Sequence, residues 1–404
     1  MAVVGGGAAG LTCGVAAARL GLPVVVIEKS EQAGRKLALS GGRKANFTHA
    51  ESPRHMADRF DCAPTLILSL LRRFPYQRIT RFFESLGVGH RVDESGCVWP
   101  TRTDAAGGRD ALVQALSAAG GTLRTGAAVT TIDALPASEV RGPEPSVGTH
   151  RSSVFSPPSF SLSLADGSGV DAARVLLATG GASYARTGSS GDGLALAARL
   201  GLATTPWFPA LASLKTRHDF HALAGISQPL VRMALALQQD GVWQVRREAE
   251  GHFIFAHEFV SGSSVLNLSG FAARALQDGL PVELRVDWAP GSTRHEIERA
   301  LAAARTAQPR ARLTTVMARW VSRRLAEHLC SLAQVDPARI MAAASRGEVE
   351  RAAASLKQTA LAIVGTEPID RATVTGGGVR LDEIDLSTME ARRLPGLYCA
   401  GAIR

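Results

Sequence analysis

Aromatic residues are scarce in this chain, at 5% with only three tyrosines, and cysteines number five in 404 residues. Those five, Cys13, Cys62, Cys97, Cys330 and Cys399, are odd in number, widely and irregularly spaced, and form no CxxC pair. That argues against a zinc ribbon, a dithiol redox motif or a disulfide framework, so no metal site is expected, and it suits reduced thiols in a cytoplasm. No run of 18 or more apolar residues occurs, so a membrane span is not expected. Residues 2–27 are apolar enough to imitate a signal peptide, but they lack a basic leading region and are broken by glycines, Arg19 and Pro23. They read as fold rather than address. Neither a Ser-His-Asp order nor a Walker lysine is present to suggest hydrolase or NTPase work.

What is present is ample apolar material, 46% against 20% charged, enough for two or three domains with large cores. The net charge is +9, and arginine supplies nearly all of the positive side. A polyanionic partner is one reading of such a balance, and Arg319, Arg323 and Arg324 around Trp320 are the first candidates for an RNA-binding face. The other reading is a solvated helix face, and the scatter of arginines along the whole chain favours it.

Periodicity gives a βαβ opening: a strand ending at 2–4, a small-residue helix over 8–20 and a buried β-branched strand over 23–27. Helices are expected over 65–86 and 109–119, and strands near 127–132 and 160–164. Between these, 136–158 is rich in proline, serine and glycine and reads as a long loop. A compact apolar strand over 174–178 runs into Thr179-Gly180-Gly181, and a helix over 191–200 is stopped by Gly201. From 204 the pattern turns strand-like, including 230–237 and 282–286, and from 293 to 354 it is almost wholly helical. Short strands and glycine turns return towards the C-terminus. The expected organisation is therefore a first domain over 1–203, an inserted β-rich domain over 204–290, an inserted helical domain over 291–358, and a return to the first domain over 359–404.

Gly5-Gly6-Gly7-Ala8-Ala9-Gly10 satisfies G-x-G-x-x-G between a strand and a helix, and Glu28 closes the next strand at the expected distance. Gly5 allows the tight turn, Gly7 lets the backbone approach a pyrophosphate, and Gly10 lets helix and strand pack closely. The anion then faces a helix N-terminus, where unpaired N–H groups and about half a positive charge lie. Glu28 is placed to accept from adenosine ribose hydroxyls and to repel a 2′-phosphate. Lys29 follows it at the same strand end.

Further motifs are collinear with that site. Gly34-Arg35-Lys36-Leu37-Ala38-Leu39-Ser40-Gly41-Gly42, continued by Asn46-Phe47-Thr48, resembles the G-R-K-L-x-x-S-G-G-G-R-C-N-x-T signature of the BaiN/YhiN-like flavoproteins. So do Leu177 to Tyr184, the Thr187-Gly188-Ser189-Ser190-Gly191-Asp192-Gly193 run, Thr375-Gly376-Gly377-Gly378-Val379 and Pro395-Gly396-Leu397-Tyr398. The resemblance implies an α/β fold in which a Rossmann-type FAD-binding domain of the two-dinucleotide-binding type carries an inserted β-rich plus helical, substrate-side domain. It further implies that Arg35 and Lys36 lie near the pyrophosphate, that Ser40, Gly41, Gly42 and Asn46 line the flavin side, and that Val129 offers its backbone to adenine. Thr179, Gly180 and Gly181 would close over the dinucleotide, and Gly401 and Ala402 would meet it from the C-terminal side.

Three departures from the signature stand out. Its Gly-Arg-Cys-Asn is Arg43-Lys44-Ala45-Asn46 here, so any mechanism using that thiol is excluded. The acid usual after the final Ala-Gly is Ala402. The chain also stops at Arg404, ahead of the glycine-rich segment that completes the family's flavin pocket, which implies either a truncated chain or weak FAD binding.

A flavin carries the electron chemistry itself, so the protein has only to bind, orient and tune it. Phe255-Ala256-His257 followed by Ser261-Gly262 resembles the family's F-T-H-x-x-x-S-G-P, and it makes His257 a candidate proton donor. Tyr184 is a second candidate acid. For both, a structural role remains the alternative. No second G-x-G-x-x-G follows a strand, so an NAD(P)H donor would dock transiently in the substrate cleft. The resemblance implies an FAD-dependent oxidoreductase reducing an unsaturated or carbonyl-bearing small molecule with electrons from NAD(P)H. Two alternatives stay open: an RNA-associated flavoprotein of the tRNA-modifying type, and a degenerate relative that keeps the fold for binding only.

Overall fold

The computed structural model describes residues 1–58, 60, 64–135 and 160–403. The expected loop over 136–158 and Cys62 lie outside them. The chain divides into two compact units, Met1–Trp207 with Gly377–Arg404, and Phe208–Gly376.

The first unit is built on a seven-stranded sheet. Five of its strands run Leu397–Cys399, Val175–Leu177, β1 (Ala2–Val4), β2 (Val25–Ile27) and, at one edge, Thr122–Arg124, all parallel. Two short antiparallel strands, Glu390–Ala391 and Ile384–Asp385, extend the other edge. Alternate residues of each strand face opposite layers, which is why the strands read as unbroken apolar runs. Val3, Val26 and Leu176 pack on one side with Leu11 and Val15 of helix α1 (Ala8–Arg19) and Leu112 and Leu116 of the helix Ala105–Ala118. Val4, Ile27, Val175 and Leu177 pack on the other with Phe160, Leu162, Leu194 and Ala197. Three layers result, and β1 sits mid-sheet with parallel neighbours on both sides. In open sheets of this kind ligands bind beyond the carboxyl ends of the strands.

The second unit is a closed six-stranded antiparallel barrel, Leu214–Thr216, Phe259–Ser261, Val242–Phe255, Ser227–Gln239, Val282–Asp287 and Thr359–Thr366. Phe253, Phe255 and Trp288 fill its centre edge-to-face and stacked, with ring centroids 4.9 to 5.6 Å apart. Helices Arg294–Ala307, Arg323–Leu332 and Arg346–Lys357 share that core through Leu301, Leu325 and Leu356.

Several sequence expectations shift accordingly. The β-rich and helical stretches are one unit rather than two, because they bury their apolar faces in a common core. Residues 359–366 do not rejoin the first unit: Thr359–Thr366 pairs with Val282–Asp287 and Leu214–Thr216 to close the barrel, and the first unit resumes at Gly377. The helix expected over 65–86 is two, Pro64–Arg73 and Tyr76–Glu84, because Pro75 cannot continue a helix and instead occupies the N-cap of the second. The helix Ser263–Gln277 lies in a stretch whose reading had been strand-like.

Candidate dinucleotide site

The turn leaving β1 is fixed by its glycines. Gly5 has φ +105°, and a Cβ there would sit 2.6 Å from the Ala178 carbonyl oxygen, so only glycine suits it. A Cβ on Gly10 would fall 1.9 Å from the Gly5 carbonyl oxygen, so α1 lies against the strand end as closely as a backbone allows. Gly7 differs: it is the N-cap of α1 in an extended conformation, no side chain caps the helix, and a Cβ would meet nothing within 4 Å. The open space lies where the first N–H groups of α1 have no carbonyl one turn back.

Glu28 follows β2 directly. The Gly6 N–H donates to its Oε2 at 2.8 Å and the Ser30 N–H to its Oε1 at 2.8 Å, so both carboxylate oxygens are held in place by backbone. Lys29 reaches across to Asp192, 2.5 Å away, and donates to Ser190. Lys36 donates to the Ser183 carbonyl at 2.9 Å, and burial pulls its ammonium below the ordinary lysine pKa. A nearby dianion would offset that cost by favouring the charged form. Arg35 donates to the Arg186 carbonyl at 3.1 Å.

These residues wall a cavity of about 410 Å3. Of the positions singled out from sequence, Gly5, Gly7, Ala8, Ala9, Glu28, Lys29, Arg35, Lys36, Ser40, Val129, Thr179, Gly180, Gly401 and Ala402 line it. Gly10, Gly41, Gly42, Asn46 and Gly181 do not. Gly10 is spent on packing, and Gly41 and Gly42 form a left-handed turn (φ +56° and +64°) inside the segment Leu37–Arg43. Sequence reasoning had not assigned Gln32, Gly34 or the wall 187–192, although the Thr-Gly-Ser-Ser-Gly-Asp run that forms that wall was already visible as a motif.

Residues with donor-rich backbone, three cations, of which Lys29 is paired with Asp192, and the Glu28 carboxylate fit an adenine dinucleotide. A diphosphate placed there would find N–H groups and Arg35, and ribose hydroxyls would find Glu28. Ala402 brings no acceptor to its stretch of wall. The expected result of Ala402→Asp is FAD affinity higher by about ten- to a hundredfold, the worth of one charge-assisted hydrogen bond, read by fluorescence titration.

Arg43 also bears on this segment. It sits at φ +72°, and Ala45 at +57°, in a region that costs an L-residue about 1–2 kcal/mol. The signature's glycine would suit position 43. After subtracting the entropy of an added glycine, Arg43→Gly should stabilise the first unit by roughly 0.5–1 kcal/mol. A raised denaturant midpoint at unchanged slope would register it.

The two acid candidates lie elsewhere. Tyr184 is exposed, in a left-handed conformation, and is not on the wall of this cavity. His257 belongs to the second unit, where its Nδ1 is 3.3 Å from Nε2 of His221, so a single proton is shared between those nitrogens when both rings are neutral.

Two of the three arginines of the cluster have partners within the second unit. Trp320 packs against the barrel core and donates its Nε1–H to Ser292 at 3.1 Å. Arg323 pairs with Glu327 at 3.0 Å, Arg324 donates to the Ala222 carbonyl, and Arg319 is exposed. That arrangement provides no open aromatic platform for bases.

Among the described residues the cysteines are free thiols, burial pushes Cys330 up to about 12, no His, Cys, Asp and Glu side chains group to hold a metal, and no helix is long and apolar enough to cross a membrane.

The chain is 29% identical over 408 residues to a 3-dehydro-bile acid delta(4,6)-reductase of Clostridium scindens, covering 99% of this chain and 91% of that one. It is 27% identical over 421 residues to a ribosomal RNA dihydrouridine synthase of Escherichia coli, covering 99% and 90%. Among solved structures, the 3-ketosteroid-delta4-(5alpha)-dehydrogenase of Rhodococcus jostii aligns over 100% of this chain and 90% of its own, with a TM-score of 0.46 and 14% identity. The model of the HI0933-like protein Rossmann domain matches residues 1–403. With that match spanning its described length, the chain belongs to the HI0933-like Rossmann family.

Proposed function

We propose that this chain is an FAD-dependent oxidoreductase that reduces a carbon–carbon double bond conjugated to a carbonyl, with electrons from NAD(P)H. The observation that carries the reading is the open space over Gly7 at the N-terminus of α1, faced by a Glu28 carboxylate locked by two backbone N–H groups. Bound there, FAD supplies two-electron hydride chemistry.

The chain's own groups bind and orient. The N–H groups of Ala8 and Ala9, with Arg35, hold the diphosphate, Lys36 adds charge, Glu28 takes the ribose, and Val129 and Leu196 flank the adenine. His257 is the candidate proton donor, and its hydrogen bond with His221 fixes which ring nitrogen remains available.

The substrate class draws on the relatives. Their names describe saturation of double bonds in a 3-dehydro-bile acid and of the uracil ring of uridine in RNA. Both place the reducible bond beside a carbonyl, so the balanced reaction joins NAD(P)H, a proton and the unsaturated carbonyl compound to give NAD(P)+ and the saturated carbonyl compound. A small-molecule enone is the first reading. RNA is the second, favoured by the second relative and the net charge of +9.

The test is an anaerobic mixture of FAD-loaded protein and NADH or NADPH, followed by a 3-oxo-4,6-diene steroid acid or by ribosomal RNA. Flavin bleaching and reoxidation by the steroid support the first reading. Reoxidation by RNA alone supports the second, and failure of both nicotinamides to bleach the flavin overturns the proposal.

A further inference from the structure

Beside the dinucleotide cavity the first unit contains a second hollow of about 470 Å3. Arg35 and Arg186 line it with Gln32, Ala38, Leu39, Tyr184 and Thr187. No carboxylate contributes to the wall, and among the described residues no acid pairs with either arginine. Gln32, Arg35 and Thr187 border both hollows, so the two are adjacent.

Tyr184 is presented there under constraint. Its backbone is left-handed, φ +54° and ψ +50°, which is uncommon for a bulky side chain. The turn is held by two donations to the Tyr184 carbonyl, from the Thr187 N–H at 2.9 Å and the Thr187 Oγ1 at 2.8 Å. The residue is 43% exposed. A strained residue of this kind persists only where its surroundings over-determine it, and such positions cluster at ligand sites.

A guanidinium matches phosphate oxygens bidentately, and an exposed phenol ring stacks on a planar base. The chain has no second glycine-rich dinucleotide turn, and Glu28 in the first cavity disfavours a 2′-phosphate. A cationic hollow with no acid has neither restriction. We propose that this second hollow is the docking site for the phosphate-bearing end of the nicotinamide donor, with its phosphate on Arg186 and its adenine against Tyr184, and that it selects NADPH over NADH. This rests on the reading of the neighbouring cavity as the FAD site.

Arg186→Gln is the informative variant, because only the backbone carbonyl of Arg186, not its side chain, meets Arg35. The holoprotein is titrated with NADPH and with NADH by fluorescence, and the flavin is reduced in parallel by NADPH and by dithionite. The variant should keep its FAD content and its dithionite reduction, weaken NADPH binding by about tenfold or more, and lose most of the preference over NADH. Arg186→Lys, which keeps charge without the fork, should fall between. NADPH affinity unchanged in both variants overturns the proposal, and so does a loss confined to ribosomal RNA binding. If the protein takes up no FAD, the cofactor reading fails. NADPH fluorescence then still decides whether the Arg186 hollow binds the donor.

Discussion

Gly7→Asp should abolish flavin retention while leaving the fold as stable as before or a few tenths of a kcal/mol more so. Aspartate is among the best N-cap residues, the Gly7 backbone is already extended, and nothing within 4 Å obstructs a side chain. Its carboxylate would take the N–H groups of the first turn, which are the ones a diphosphate needs, and would add like-charge repulsion. Gly10→Ala should do the opposite. Its methyl would lie 1.9 Å from the Gly5 carbonyl oxygen, so β1 and α1 must separate, at a cost of about 3 kcal/mol or more. Thermal melts and FAD titrations of both variants separate the two roles. Loss of stability in Gly7→Asp, or full FAD affinity in that variant, contradicts the assignment.

Glu28→Ala should weaken FAD by about a hundredfold and also lower stability by roughly 1–3 kcal/mol. Two effects combine there. The Gly6 and Ser30 N–H groups lose their acceptors, and the ribose loses its partner. Glu28→Gln keeps one acceptor oxygen but turns an N–H donor towards a second N–H donor, so it should recover only part of each loss. An alanine variant that binds FAD like the parent, measured by equilibrium dialysis on folded protein, would remove Glu28 from the site.

Much of this site was legible in the sequence because glycine records backbone geometry directly. The spacing of Gly5, Gly7 and Gly10 states where a turn, an approach and a close packing are expected, and the structure has the turn at Gly5, the close packing at Gly10 and open space over Gly7. Arg43 is the reverse case, a left-handed position that its side chain conceals. The wall 187–192 was visible as a motif but not assignable, since it approaches Lys29 only through the fold. The unit boundary was hidden for a related reason. Barrel closure joins Leu214–Thr216 to Thr359–Thr366 across most of the second unit, and local periodicity carries no record of such long-range pairing. The helix Ser263–Gln277 was missed because its Ser, Asn and Gly content weakens local helix preference, and tertiary packing of Val265, Leu268 and Ala272 overrides it.

The visible absorption spectrum of the purified chain, recorded after incubation with FAD and removal of the unbound cofactor, bears most directly on whether the crevice at the end of β1 grips that dinucleotide. A yellow protein with the oxidised-flavin band pair, in a stoichiometry of one flavin per chain that Gly7→Asp eliminates, is the expected result. A folded but colourless protein, or one whose flavin is indifferent to that substitution, would contradict it.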